Sequence, residues 1–168
     1  GGVLFTQFSH FIDIINFWFD DVVCTNSKSY NFTHQGITDF DDSGYVDFLA
    51  DGVIGHMIYT TSVFNKNFES SISIIAEKGT IKIGDQYLNK MLYCDFKNVC
   101  CSQKISTEQK NFHPNAIEEI SNALIRKNKS LLDGKYALNL VKFICEANKL
   151  AKFEKNKLKT KDYEISHT

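Results

Sequence analysis

The chain has 168 residues, of which 43% are hydrophobic, 23% charged and 13% aromatic, and its formal net charge is −1. That balance excludes a disordered polymer, a collagen-like chain and a disulfide-dense miniprotein, and it suits one globular domain spanning 1–168. No apolar run reaches the roughly 18 residues of a membrane span. With 18 Lys, a single Arg and almost no net charge there is no basic surface for nucleic acid, so neither a membrane nor a nucleic acid is expected as partner.

Residues 3–19 place Leu4, Phe8, Phe11, Ile12, Ile15 and Trp18 at helical spacing behind the Gly1-Gly2 pair. This predicts one amphipathic helix of about four to five turns. Thr6, Gln7, His10 and Asp13 fall away from its apolar stripe. The pattern then turns to strands, rich in β-branched and aromatic residues, over 22–31, 45–49, 53–64, 68–76, 80–83, 87–96 and 99–103. Asp51-Gly52, 65–67, 77–79 and Gly84-Asp85 are turn signals between them. The stretch 35–44, with Asp39, Asp41 and Asp42, reads as a solvated acidic loop without the spaced oxygens and closing Glu of a calcium site.

Two more helices follow. His113-Pro114 opens one over 115–127, with Ile117, Ile120, Leu124 and Ile125 as its apolar stripe. Asp133-Gly134 opens the other over 135–152, with Leu140, Val141, Ile144, Ala147, Leu150 and Ala151 recurring at helical spacing. The charged tail loses periodicity and is expected as a short edge strand or a disordered end.

Short turns between consecutive strands argue for an antiparallel meander, so the fold class is α+β: an open, mainly antiparallel sheet with helices packed on one face. The other face, with Tyr45, Phe48, Tyr59, Phe64, Phe68 and Ile74 as candidates, is too apolar to face water. A homo-oligomer through that face, or a further domain against it, would cover it.

The cysteines, at 24, 94, 100, 101 and 145, are odd in number and lack the paired spacings of a zinc site. They read as free, buried thiols in a reducing cytoplasm. No metal is expected, because the histidines have no Asp or His partners at ligand spacing. The chain starts at Gly1 rather than Met, which reads as a fragment or a processed product.

On the first helix, His10 lies four residues from Thr6 and three from Asp13, spacings that share one face. A neutral-pKa imidazole flanked by a hydroxyl and a carboxylate can accept or relay a proton. The bland alternative is a solvated helix face. His113 precedes a helix whose free N–H groups favour anions, and simple capping is its alternative. His34 and His56 show no partner pattern and read as core or surface residues.

Three segments together resemble the Gfo/Idh/MocA oxidoreductases, in their C-terminal domain. Gly1, Gly2, His10, Asp13 and Trp18 match its opening helix. Phe68, Glu69, Ser71, Glu77, Gly79, Thr80 and Gly84 match its strands. His113, Asp133 and Gly134 match its closing helices, so the likeness runs the length of the chain in order. The opening is most similar to the UDP-N-acetyl-hexosamine and hexosaminuronate 3-dehydrogenases, whose setting is lipopolysaccharide biosynthesis.

The resemblance implies the following. The fold is the glyceraldehyde-3-phosphate-dehydrogenase-like C-terminal domain. The activity is hydride transfer between NAD or NADP and a hydroxyl of a sugar, nucleotide sugar or cyclitol. His10 is the catalytic proton relay, and Thr6, Asp13 and His113 contact substrate. The nicotinamide cofactor is held by an N-terminal Rossmann domain, which is expected as a partner because this sequence has no Gly-x-Gly-x-x-Gly. The location is cytoplasmic, and the chain alone is inactive. Two departures stand out: Thr6 occupies the position of a family Asp, and Ile144, Cys145 and Ala147 replace a Tyr-x-Ser in the last helix. They favour the alternative, a non-catalytic binding or oligomerisation module from a split or decayed gene.

Overall fold

The computed structural model of the chain describes residues 2–85, 88–97, 112–128 and 134–157. In chain order the elements are α1 (Val3–Thr6), α2 (Ser9–Trp18), β1 (Val23–Tyr30), β2 (Ser43–Ala50), β3 (Val53–Thr60), β4 (Ile72–Ala76), β5 (Gly79–Gly84), β6 (Lys90–Phe96), α3 (Phe112–Arg126) and α4 (Gly134–Lys157). They fall into two compact units, Gly1–Ser62 with Lys127–Thr168, and Val63–Arg126.

In the first unit β1, β2 and β3 form an antiparallel sheet in that order. The β2–β3 hairpin turns through Asp51 (φ 42°) and Gly52 (φ 78°), with Ala50 facing Val53 across it. Two left-handed residues are what a tight hairpin twisted with its strands requires, and Asp-Gly supplies them at least cost. A bulge between Cys24 and Asn26 shifts β1 by one residue, so that Cys24, Ser27 and Ser29 are all buried.

The inward face of this sheet carries Val46, Phe48, Ala50 and Tyr59, all buried. Helix α4 lies against β1 and α2. It contributes Phe143, Ile144, Ala147 and Ala151, spaced to form one stripe. The alanines let its backbone come close, while Phe143 meets Phe48 edge-on, ring centroids 6.3 Å apart and planes at 77°. Ile12 of α2 and Val3 and Leu4 of α1 complete the core.

Phe48 and Tyr59, expected on the open sheet face, are therefore core residues. The parity of the pleat decides this: Phe48 shares its side with Val46 and Ala50, and the opposite side holds Tyr45, Asp47 and Leu49. Leu49, Ile54 (84% exposed) and Ile58 make that outer face apolar without cover from this chain's described residues.

In the second unit β4, β5 and β6 form another antiparallel meander, with Ile74 opposite Ile81 and Ile81 opposite Cys94. The expected single sheet is thus two three-stranded sheets. β3 stops at Thr60 rather than running to residue 64, and 61–71 carries no strand before β4 starts at Ile72. Asn65 there is left-handed (φ 69°), and Phe64 is 98% exposed. A run of β-formers without a partner strand has no ladder to join. Helix α3 has the expected period, yet Ile117, Ile120, Leu124 and Ile125 are all exposed.

Cys24 and Cys145 are free, as expected, but Cys94 is disulfide-bonded, which corrects the expectation of free thiols throughout. Cys24 is buried and Cys145 is exposed. The expected strand over 99–103 and the tail beyond 157 lie outside the described residues. Among the described residues no helix is long and apolar enough to cross a membrane.

Candidate functional site

The opening segment is two helices rather than one. Gln7 and Phe8 keep right-handed dihedrals, but the ladder is interrupted. Gln7 N and Phe8 N both donate to Val3 O, at 3.0 and 3.1 Å, and the next bonds run from Phe11 N and Ile12 N to Phe8 O. The Thr6 hydroxyl donates back to Gly2 O (3.2 Å), and the Ser9 hydroxyl donates to Thr6 O (3.3 Å). Such local side-chain bonds compete with the helix ladder and suit the break. Thr6 therefore spends its one proton on its own turn and offers outward only lone pairs.

His10 and Asp13 stand one turn apart on α2, both exposed, while Ile12 between them is wholly buried. The buried stripe of α2 fixes the helix in place, and that anchoring directs the polar face outward. An exposed imidazole can take a proton from a bound hydroxyl, and a carboxylate three residues on shares its helix face. His113 lies in α3, in the second unit, and its side chain is outside the described residues.

A second cluster was not legible as such. Asp42 is buried, not part of a solvated loop. Its carboxylate accepts from Phe32 N, Thr33 N (2.9 Å), Thr33 Oγ1 (3.2 Å), His34 Nδ1 (3.1 Å) and Ser43 Oγ (2.8 Å). Its backbone carbonyl accepts from Thr61 N at 2.8 Å. One carboxylate thus ties the 31–34 turn to the start of β2, and its carbonyl ties it to the end of β3. Burial opposes the charge on Asp42, but the Thr33 N–H, the His34 ring, the Phe32 N–H and the Ser43 hydroxyl outweigh it, and its pKa lies far below the usual carboxylate range. His34, which showed no partner pattern in sequence, is held by Nδ1. The one sequence signal was the short polar run Asp42-Ser43-Gly44 before a strand, which is also ordinary loop chemistry.

On the outer sheet face Asp47 bonds His56 Nδ1 through Oδ1 and accepts from Asn26 Nδ2 (2.9 Å) through Oδ2. The hydrogen bond from His56 is the main reason the Asp47 carboxyl lies below its ordinary value. These three residues are cross-strand neighbours, which the register brings together.

The described residues do not fit a dinucleotide. All strand pairs are antiparallel, so there is no β-α-β crossover whose glycine turn could cradle a diphosphate. Among the described residues no group of three or more His, Cys, Asp or Glu could hold a metal ion.

No protein-family profile and no curated protein matches the chain by sequence. Its fold does match solved structures. The WlbA dehydrogenase from Bordetella pertussis, in complex with NADH and UDP-GlcNAcA, aligns with TM-score 0.78 at 21% identity, over 92% of this chain and 44% of that one. The Chromobacterium violaceum WlbA dehydrogenase, with the same ligands, gives 0.72 at 21% identity, over 92% and 45%. An oxidoreductase from Agrobacterium radiobacter, in complex with NAD+, L-tartaric acid and magnesium, gives 0.72 at 14% identity, over 89% and 46%. The chain therefore has the fold of a part of NAD-binding oxidoreductases. It spans less than half the length of each of these three.

Proposed function

We propose that this chain is the C-terminal substrate-binding and dimerisation half of an NAD(P)-dependent oxidoreductase of the Gfo/Idh/MocA type, acting on a hydroxyl of a sugar. A nucleotide sugar is the favoured substrate class. The observation that carries this reading is the fold's likeness, over 92% of the chain, to part of a dehydrogenase solved with NADH and UDP-GlcNAcA.

In this reading His10 accepts or returns the proton of the reacting hydroxyl, and Asp13 orients the ring or a neighbouring hydroxyl. Thr6, whose proton is already committed to Gly2 O, receives a hydrogen bond from substrate. Because the described residues offer no cradle for the dinucleotide, its binding belongs to an N-terminal Rossmann domain. The apolar outer face with Leu49, Ile54 and Ile58 is the surface through which copies associate. The cytoplasm is the matching location.

Thr6 in place of a carboxylate supports a second reading, a non-catalytic binding and oligomerisation module, because a hydroxyl is no base at neutral pH. Reconstitution separates the two. The chain joined to a Rossmann half from a WlbA-type dehydrogenase should reduce NAD+ when given UDP-GlcNAcA, and His10→Ala should abolish this. Turnover that is absent, or unchanged by His10→Ala, sinks the catalytic reading.

A further inference from the structure

The outer face of the β1–β2–β3 sheet is ordered in rows that cross all three strands. Val23, Leu49 and Ile54 stand in one row, Asn26, Asp47 and His56 in the next, and Lys28, Tyr45 and Ile58 in the third. Val23, Leu49, Ile54 and Ile58 are exposed. The middle row is therefore a polar band with apolar side chains on either side of it.

Asp47 is the centre of that band. Its Oδ1 is bonded to His56 Nδ1, and its Oδ2 accepts from Asn26 Nδ2 at 2.9 Å. The Tyr45 ring lies against the imidazole, centroids 5.5 Å apart. Lys28, the other charged group in the three rows, stands opposite Tyr45 rather than opposite Asp47. Behind the sheet, the charges of Asp47 and of Glu146 in α4 both act on the Cys24 thiol. In the single chain the His56 side chain is 50% exposed and that of Asp47 33%, so water reaches both. The bond from His56 holds the Asp47 carboxyl below its ordinary value, and Asp47 is ionised at neutral pH.

A face of apolar, polar and apolar rows is complementary to itself. A twofold axis through the middle row, along it or across it, sets that row against its counterpart and Asp47 against the partner's Asp47. Both carboxylates then lose water together. With neutral imidazoles such a contact encloses two like charges. With protonated imidazoles it encloses two hydrogen-bonded ion pairs and no net charge from this row. An enclosed charge without a counter-ion is far costlier than an enclosed, hydrogen-bonded pair. The Tyr45 ring beside His56 adds to the preference for the cation.

We propose that the Asn26–Asp47–His56 row makes the association of two copies through this face depend on a proton: the copies hold together with His56 charged and separate with it neutral. This rests on the association of copies proposed above and uses no part of the dehydrogenase chemistry.

The test is sedimentation equilibrium of the full chain at pH 6 and pH 8, at one ionic strength, a range in which an imidazole changes its charge. The parent chain should dimerise at least about tenfold more tightly at pH 6. Asp47→Asn, which removes the enclosed charge, should be as tight at pH 8 as the parent is at pH 6. His56→Gln should stay as weak at pH 6 as the parent is at pH 8. Ile54→Lys should be monomeric at both, with circular dichroism unchanged. Equal or tighter parent dimers at pH 8, or a pH dependence retained in Asp47→Asn or His56→Gln, overturns the proton dependence and leaves the associating face standing. A parent chain that is monomeric at both pH values, or Ile54→Lys dimers like those of the parent, overturns the face and this inference together.

Discussion

The ring of Phe48 in β2 lies over Gly55, its cross-strand neighbour in β3, so that a Cβ at position 55 would fall inside the ring. The missing side chain is what lets Phe48 swing inward to meet Phe143 of α4. Gly55→Ala should therefore destabilise the first unit by about 1–3 kcal/mol through overpacking. Combining it with Phe48→Leu should recover part of that loss. Urea denaturation of the two single variants and the double variant measures the coupling, and strictly additive losses would sink the account.

Asp42 makes the first unit acid-sensitive. Its folded pKa lies far below that of an unfolded Asp, about 3.9. For a depressed carboxyl, the linked stability is complete above the unfolded value and is lost as pH falls toward the folded one. Stability should thus be flat near neutrality and decline below about pH 4. Asp42→Asn should cost about 1.5–3 kcal/mol at pH 7 and make the decline below pH 4 shallower. Thermal unfolding across pH 3–7 measures both. A decline that is equally steep in the variant would assign it to other carboxylates.

Helix α4 should show a sharp contrast between neighbouring positions. Ile144 is fully buried and Val141, one turn earlier, is 42% exposed. Ile144→Ala should cost about 2–5 kcal/mol, and Val141→Ala no more than about 1 kcal/mol. Equal losses would mean that the helix is rotated about its axis.

Cys24 and Cys145, the free thiols among the described residues, should differ in reactivity. Burial first, and the nearby Glu146 carboxylate second, push Cys24 up to about 11, and its side chain is enclosed. Cys145 is exposed. Iodoacetamide at pH 8, with peptide mapping, should label Cys145 quickly and Cys24 only on unfolding. Rapid labelling of Cys24 in the folded chain would contradict the core packing.

His10 should be dispensable for folding. It is exposed, so His10→Ala should leave stability within about 0.5 kcal/mol of the parent. In a reconstituted enzyme the same change should lower kcat by about 10²–10⁴ and remove one limb of the pH profile. A variant that unfolds would make His10 structural.

Local order was readable wherever local chemistry decides it. The 3.6-residue period of Ile144, Ala147 and Ala151 announces α4, and Asp51-Gly52 announces its hairpin, because helical faces and left-handed turns depend on residues near in sequence. His10 and Asp13 were readable for the same reason, being one turn apart. The interrupted ladder at Gln7–Phe8 was not, since an apolar stripe continues through it unchanged. The side of the sheet on which Phe48 and Tyr59 lie depends on register across strands, and a shift of one residue reverses it. The division into two sheets depends on which strands find partners. Asp42 looks in sequence like any acid in a polar loop. Only the folded backbone brings the amides of residues 32 and 33, the His34 ring and the Ser43 hydroxyl to the same carboxylate, where removal from water makes each of those bonds count.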